Sequence, residues 1–195
     1  MLRESRKQDL KEKIFLESIR LFAVKGMDHV SVSEITKACG VAKGTFYNYF
    51  PTKESVLLYL GQSQLEMIIE QAAETDKPLK ERILFAFKQL TNRLEEHPAL
   101  MKAAVAEAVK SMGATAGEMD TIGQFKLWIS KMFHEEQIRQ EVRFAGEMED
   151  IASILVGTYF SSIMFWLHEE QSVEELHQGV NRRVSLLLDQ LIMNI

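Results

Sequence analysis

The sequence predicts an all-α protein in two parts, a small helical domain over residues 1–52 and a larger one over residues 53–195. Three observations carry that reading. Only three prolines (Pro51, Pro78, Pro98) and ten glycines interrupt 195 residues, so long stretches contain no helix breaker. Leu, Ile, Glu, Lys, Ala and Met dominate, and all but Ile are strong helix formers. Apolar residues recur at helical spacing, and no alternating run bounded by turn residues marks a strand or hairpin.

The first helix is expected from about Ser5 to Lys25. Leu10, Ile14, Leu21 and Phe22 share one face, which Phe15 and Ile19 widen. Gly26 follows a last turn containing Arg20 and Lys25, the chemistry that favours a helix end. Ser31-Val32-Ser33-Glu34 then forms a capping box, in which the serine hydroxyl and the glutamate carboxylate each accept the other residue's amide. The second helix runs only to Cys39, because Gly40 supplies a left-handed residue. Val41-Ala42-Lys43-Gly44 makes a turn into a third helix over Thr45–Phe50, and Thr52 caps a fourth after Pro51. Helices this short persist only when packed, and Ile35, Cys39, Val41, Phe46 and Phe50 would pack on the first helix.

Helix, short helix, glycine turn and short helix make a helix-turn-helix over residues 31–50, whose last helix can project into a major groove. Lys43, Thr45, Tyr47, Asn48 and Tyr49 place donors on that segment, and Gly44 lets backbone approach a phosphate or base. Lys53 sits at a helix N-terminus against the dipole, a cost of about 0.3–1 kcal/mol that a DNA phosphate would relieve. Charge agrees in sign. Residues 1–60 hold ten Lys or Arg against seven Asp or Glu, whereas residues 61–195 hold 13 against 21.

The segment VSVSEITKACGVAKGTFYNYFPTKESVL, with Ile14, Ser18, Leu21, Phe22, Lys25 and Gly26 before it, resembles the DNA-binding signature of the TetR/AcrR-type family of transcriptional regulators. The resemblance covers about residues 8–60. It implies phosphate contacts from Ser31, Ser33, Tyr47, Tyr49 and Lys53, and base or backbone readout from Lys43, Gly44, Thr45 and Asn48. Two departures stand out. Thr36 replaces the usual Ala between the two helices, and Tyr49 stands where His is common.

The remainder reads as five or six helices, with Pro78 and Pro98 marking two starts, a glycine-containing break from Met112 to Gly117, and a loop over Gln137–Gly146. The last two helices, Glu147–His168 and Val173 to about Met193, carry more apolar surface than one chain covers. Leu155, Gly157, Ser161, Val180, Val184, Leu187 and Leu191 are therefore expected at the interface of a homodimer. The family resemblance further implies a small-molecule inducer. Phe87, Leu90, Met101, Phe125, Trp128 and Tyr159 are the candidates to line an apolar cavity for it, and ten Met make such a core adaptable.

Ile151–Leu167 has 17 uncharged residues, but it is short for a membrane span and its flanks are acidic, so a helix buried on two sides is expected. The charged start has no signal-peptide core, and the lone Cys39 reads as a buried core thiol in a cytoplasmic protein. His134-Glu135-Glu136 and His168-Glu169-Glu170 read as solvated helix ends, and neither metal-ligand spacing nor any catalytic motif occurs, so no metal, cofactor or enzymatic activity is expected. The resulting expectation is a repressor that binds double-stranded operator DNA as a dimer and is released by an apolar or aromatic inducer, with the fourth helix as coupler. The alternatives are an activator of the same fold and a helical interaction domain with a purely structural helix-turn-helix.

Overall fold

The computed structural model describes residues 2–73, 76–111, 121–139, 142–168 and 172–194. The described residues form nine α-helices: α1 (Leu2–Lys25), α2 (Val32–Cys39), α3 (Lys43–Tyr47), α4 (Glu54–Ala73), α5 (Leu79–Glu96), α6 (Pro98–Ser111), α7 (Thr121–Ile138), α8 (Met148–His168) and α9 (Val173–Leu191). A 3-10 turn (Met27–His29) links α1 to α2. Two short strands, β1 (Val142–Phe144) and β2 (Ile192–Asn194), pair antiparallel with Arg143 opposite Met193. The expected all-α architecture holds apart from this pair. The last residues leave the helical path, and the segment expected as a loop contains a strand. The expected break from Met112 to Gly117 lies outside the described residues.

The chain divides into two compact units, Met1–Gln62 with His97–Ala114, and Ser63–Glu96 with Thr115–Ile195. This differs from a single cut after Thr52, because α6 returns to the first unit. In that unit Ile14, Ile35, Phe46, Val56 and Leu57 are fully buried, and Leu100 and Ala104 of α6 join the same core. Complete burial of each large side chain contributes about 1.5–3 kcal/mol. Ser18, also fully buried, donates its hydroxyl to the Ile14 carbonyl at 2.7 Å, so no polar group is stranded there. The local punctuation follows the sequence. Gly26 and Gly40 close α1 and α2 at φ +81° and +69°, values that disfavour any residue with a Cβ.

In the second unit α5, α9, α8 and α7 follow one another around a four-helix bundle, with α5 and α7 also in contact. α8 is long and apolar enough to cross a membrane by composition, but it lies between α7 and α9 with Ile151, Leu155, Tyr159, Ile163 and Trp166 buried. The helix is thus covered where it meets α7 and α9, while Ile154 and Phe165 stay exposed, so burial is less complete than its composition led one to expect. Ser172 and Glu175 form a second capping box at the start of α9, and the carboxylate accepting the Ser172 amide is held below the usual Glu range.

Candidate nucleic-acid interface and regulatory core

The helix-turn-helix is assembled by short-range bonds. Ser31 Oγ accepts the Glu34 amide at 3.2 Å, and Glu34 Oε2 accepts the Ser31 amide at 3.1 Å. Lys25 Nζ donates to the other carboxylate oxygen at 2.8 Å, which fastens the end of α1 to α2. The Lys25 ammonium first, and then the Ser31 amide, hold the Glu34 carboxyl below its ordinary range. Thr36, buried, donates its hydroxyl to the Ser33 carbonyl at 3.2 Å, so the departure from Ala is satisfied within its own helix. Cys39 is 2% exposed, and burial pushes its thiol pKa up, as fits an inert core residue.

α3 begins two residues earlier than expected. The Ala42 carbonyl accepts the Thr45 and Phe46 amides at 2.9 and 3.4 Å, so the helical bonding starts at Lys43 and the turn shortens to Gly40–Ala42. Phe46 and Phe50 sink into the core and leave Lys43, Gly44, Tyr47 and Asn48 exposed, with Thr45 and Tyr49 half-buried. Tyr47 stands edge-on to Phe46, with 52% of its surface open. A Cβ at Gly44 would meet no atom within 4 Å, and the backbone there is not left-handed. Nothing among the described residues requires glycine at that position. Ser33 is exposed, while the Ser31 hydroxyl is engaged by Glu34.

Lys53 has a different setting from the one its position suggested. Its ammonium donates to the Met27 carbonyl at 2.9 Å and the Val30 carbonyl at 3.3 Å. Two backbone dipoles therefore supply the negative partner that the helix N-terminus withholds, and the start of α4 is bolted to the turn between α1 and α2. The reciprocal bonds between Thr52 and Ser55 cap α4 as expected. Beside the end of α3 lies a groove of about 610 Å³ lined by Ser5, Lys7, Gln8, Lys11, Asn48 and Tyr49. Sequence reasoning passed over its α1 wall, although Lys7 and Lys11 stand one helical turn apart.

In the second unit four of the six cavity candidates meet. Phe87 packs on Phe125 and Tyr159 with ring centroids 5.1 and 5.4 Å apart, and Phe125 stacks on Trp128 at 5.7 Å. All four are at most 9% exposed, and burial raises the Tyr159 pKa. Leu90 is half-buried on α5. Met101 does not join them. It lies on α6 and packs against the core of the first unit, because α6 turns Leu100 and Ala104 into that core.

The expected dimer residues separate into two groups. Leu155, Val180 and Val184 are at most 2% exposed within the single chain, where α8 and α9 pack on each other, so they belong to its own core. Gly157 and Ser161 are exposed, and Leu187 and Leu191 are half-buried. Ile154 and Phe165, which sequence reasoning did not select, are 45% and 58% exposed on α8, and Leu186 is 61% exposed on α9. Ile154, Gly157, Ser161 and Phe165 recur at helical spacing on one open stripe.

A buried ion pair also escaped the sequence reading. Glu136, expected at a solvated helix end, is 5% exposed and accepts from Arg82 Nη1 at 3.1 Å, while Arg82 Nε donates to the Ala72 carbonyl at 3.3 Å. Its partner lies 54 residues away in sequence, beyond the reach of any local pattern.

Comparison with known proteins agrees with this geometry. The family described as bacterial regulatory proteins, tetR family, matches residues 14–60, and the tetracyclin repressor-like C-terminal domain matches residues 65–187. YerO of Bacillus subtilis, a helix-turn-helix-type transcriptional regulator, is 42% identical over 76 residues, which are 36% of this chain and only 26% of that protein. The transcriptional repressor KstR of Mycolicibacterium smegmatis is 22% identical over 184 residues, covering 93% of this chain and 88% of its own. Among solved structures, the repressor FadR of Thermus thermophilus, crystallised with lauroyl-CoA, superposes with a TM-score of 0.72 at 22% identity, covering 95% of this chain and 96% of that one. With both of its parts matched, the helix-turn-helix and the C-terminal helical region, the chain belongs to the TetR family of bacterial transcriptional regulators.

Proposed function

We propose that this chain is a ligand-responsive repressor that binds a near-palindromic operator as a homodimer and is released by a small, largely apolar or aromatic inducer. The observation that carries the DNA reading is the exposed face of α3. Lys43 and Tyr47, with Asn48 just after the helix, are displayed there around a glycine that nothing among the described residues requires. A vacant Cβ position beside donors suits close approach of backbone to a phosphate or base edge. Ser31, Ser33 and Tyr49 flank that face as phosphate contacts, and Thr45 offers a methyl group and a hydroxyl to a base. Lys53 acts first by orienting the turn it ties, and its remaining N–H is available to a phosphate.

The open stripe of α8, with Leu186 of α9, supports dimerisation through the last two helices. Such pairing sets two recognition helices about 34 Å apart, one turn of DNA. The ring cluster of Phe87, Phe125, Trp128 and Tyr159 supports an apolar effector, and FadR, similar in fold, was crystallised with a ligand whose acyl chain is of that character. α4, which contributes residues to both compact units, is the element that carries the signal.

The test of the DNA reading is Thr45→Ala, measured against the duplex that the parent chain enriches from a random library. Loss of a base-edge contact is expected to cost about 1–3 kcal/mol on that duplex and little on a scrambled one. Equal affinity of parent and variant across the library would refute base reading by Thr45.

A further inference from the structure

We propose that the DNA-binding surface extends beyond the helix-turn-helix onto the first turns of α1, where Lys7, assisted by Gln8 and Ser5, holds a backbone phosphate of the duplex that α3 enters. The inference rests on the DNA-binding reading above and adds a contact outside the helix-turn-helix segment. Its basis is the groove of about 610 Å³ whose walls are Ser5, Lys7, Gln8 and Lys11 on one side and Asn48 and Tyr49 on the other. The lining contains two lysines, three uncharged donor groups, a tyrosine and no carboxylate. That is a site for an anion. One wall consists of the two residues that follow α3, so whatever strand borders α3 runs past the groove.

The two lysines are not equivalent. Lys11 Nζ lies 3.8 Å from the centroid of Tyr59 and 5.9 Å from that of Phe50, which holds its charge against the aromatic edge of the core. Lys7 is exposed one turn nearer the start of the helix, and its side chain makes no ion pair or hydrogen bond among the described residues. Lys11 therefore gives the groove a fixed positive field, while Lys7 is free to close on a phosphate. Duplex DNA is the partner that fits, because it presents a continuous row of phosphates beside the major groove that α3 enters.

The experiment compares the full-length parent chain with Lys7→Ala and Lys7→Arg by fluorescence anisotropy between 50 and 200 mM salt. The ligands are the duplex enriched by the parent and a scrambled duplex of equal length. Loss of one phosphate contact is expected to lower the slope of log K against log salt by about 0.9, with affinity falling about three- to tenfold on both duplexes. Lys7→Arg should restore both. Trimming the duplex ends inward until the bordering phosphate is lost should abolish the difference between parent and Lys7→Ala. An unchanged salt slope in Lys7→Ala, or a loss confined to the enriched duplex, overturns the proposal while leaving the DNA reading intact. Failure of the parent to bind either duplex overturns the reading on which it rests, and the proposal with it.

Discussion

Lys53 illustrates how one side chain serves two demands. A cation in the first turn of a helix opposes the dipole, yet here the ammonium reaches back to the Met27 and Val30 carbonyls and so fixes the turn before α2. Lys53→Met removes both charged hydrogen bonds. We expect a loss of about 1–3 kcal/mol in thermal or urea unfolding, with weaker binding to every DNA sequence alike. Lys53→Arg should recover stability only in part, since a planar guanidinium does not reproduce the geometry of a compact ammonium. If Lys53→Met unfolds like the parent and merely lowers the salt slope by one unit, the ammonium is a phosphate contact and the internal bonds are incidental.

At the scale of the element, α8 presents two different faces. One is buried through Leu155, Tyr159, Ile163 and Trp166, and the other exposes Ile154, Gly157, Ser161 and Phe165. A Cβ at Gly157 would meet nothing within 4 Å, so Gly157→Arg places a long cation on the open stripe without disturbing the fold of the single chain. Sedimentation at micromolar concentration is expected to show a monomer with an unchanged circular dichroism spectrum, and DNA affinity should fall with the loss of the linked half-site. A variant that remains dimeric would move the interface elsewhere. The sequence made α8 legible as a buried helix and misled about its faces, because a helix apolar nearly all round does not reveal which stripe its own chain covers. The bounds of α2 were legible to the residue, since a capping box and a left-handed glycine are local signals, whereas α3 lay two to three residues earlier than expected because its N-cap, Ala42, makes no side-chain bond. β1 and β2 were not, for three residues are too few to show alternation and the partner strand is 50 positions away.

At the scale of the whole molecule, the proposed release of DNA by an effector has a thermodynamic corollary. If the effector favours the conformation unable to bind the operator, operator DNA must weaken effector binding by the same factor. Trp128, stacked on Phe125, is the natural reporter. Trp166 is fully buried, so removing it would open a cavity, and the cleaner control is Trp128→Phe. Lauric acid and uncharged aromatic compounds are to be titrated with and without the enriched duplex. The expected outcome is a change in emission that is absent from Trp128→Phe, with an apparent affinity lowered by the duplex as much as the compound lowers DNA affinity. Release of DNA only by polyanions, with Trp128 emission unaltered, would reduce the ring cluster to ordinary core.

The return of α6 to the first unit bears on how such a protein is made and remade. Its DNA-reading part is encoded in two stretches of the gene, with residues 63–96 between them. During synthesis α1, α2 and α3 are made before Leu100 and Ala104, which complete their core. For the same reason, a chimaera that transplants only residues 1–60 onto a foreign regulatory domain inherits the recognition surface but leaves part of its floor behind. The natural unit of exchange is residues 1–62 together with α6, and a recombination that respects that seam keeps the reading head whole.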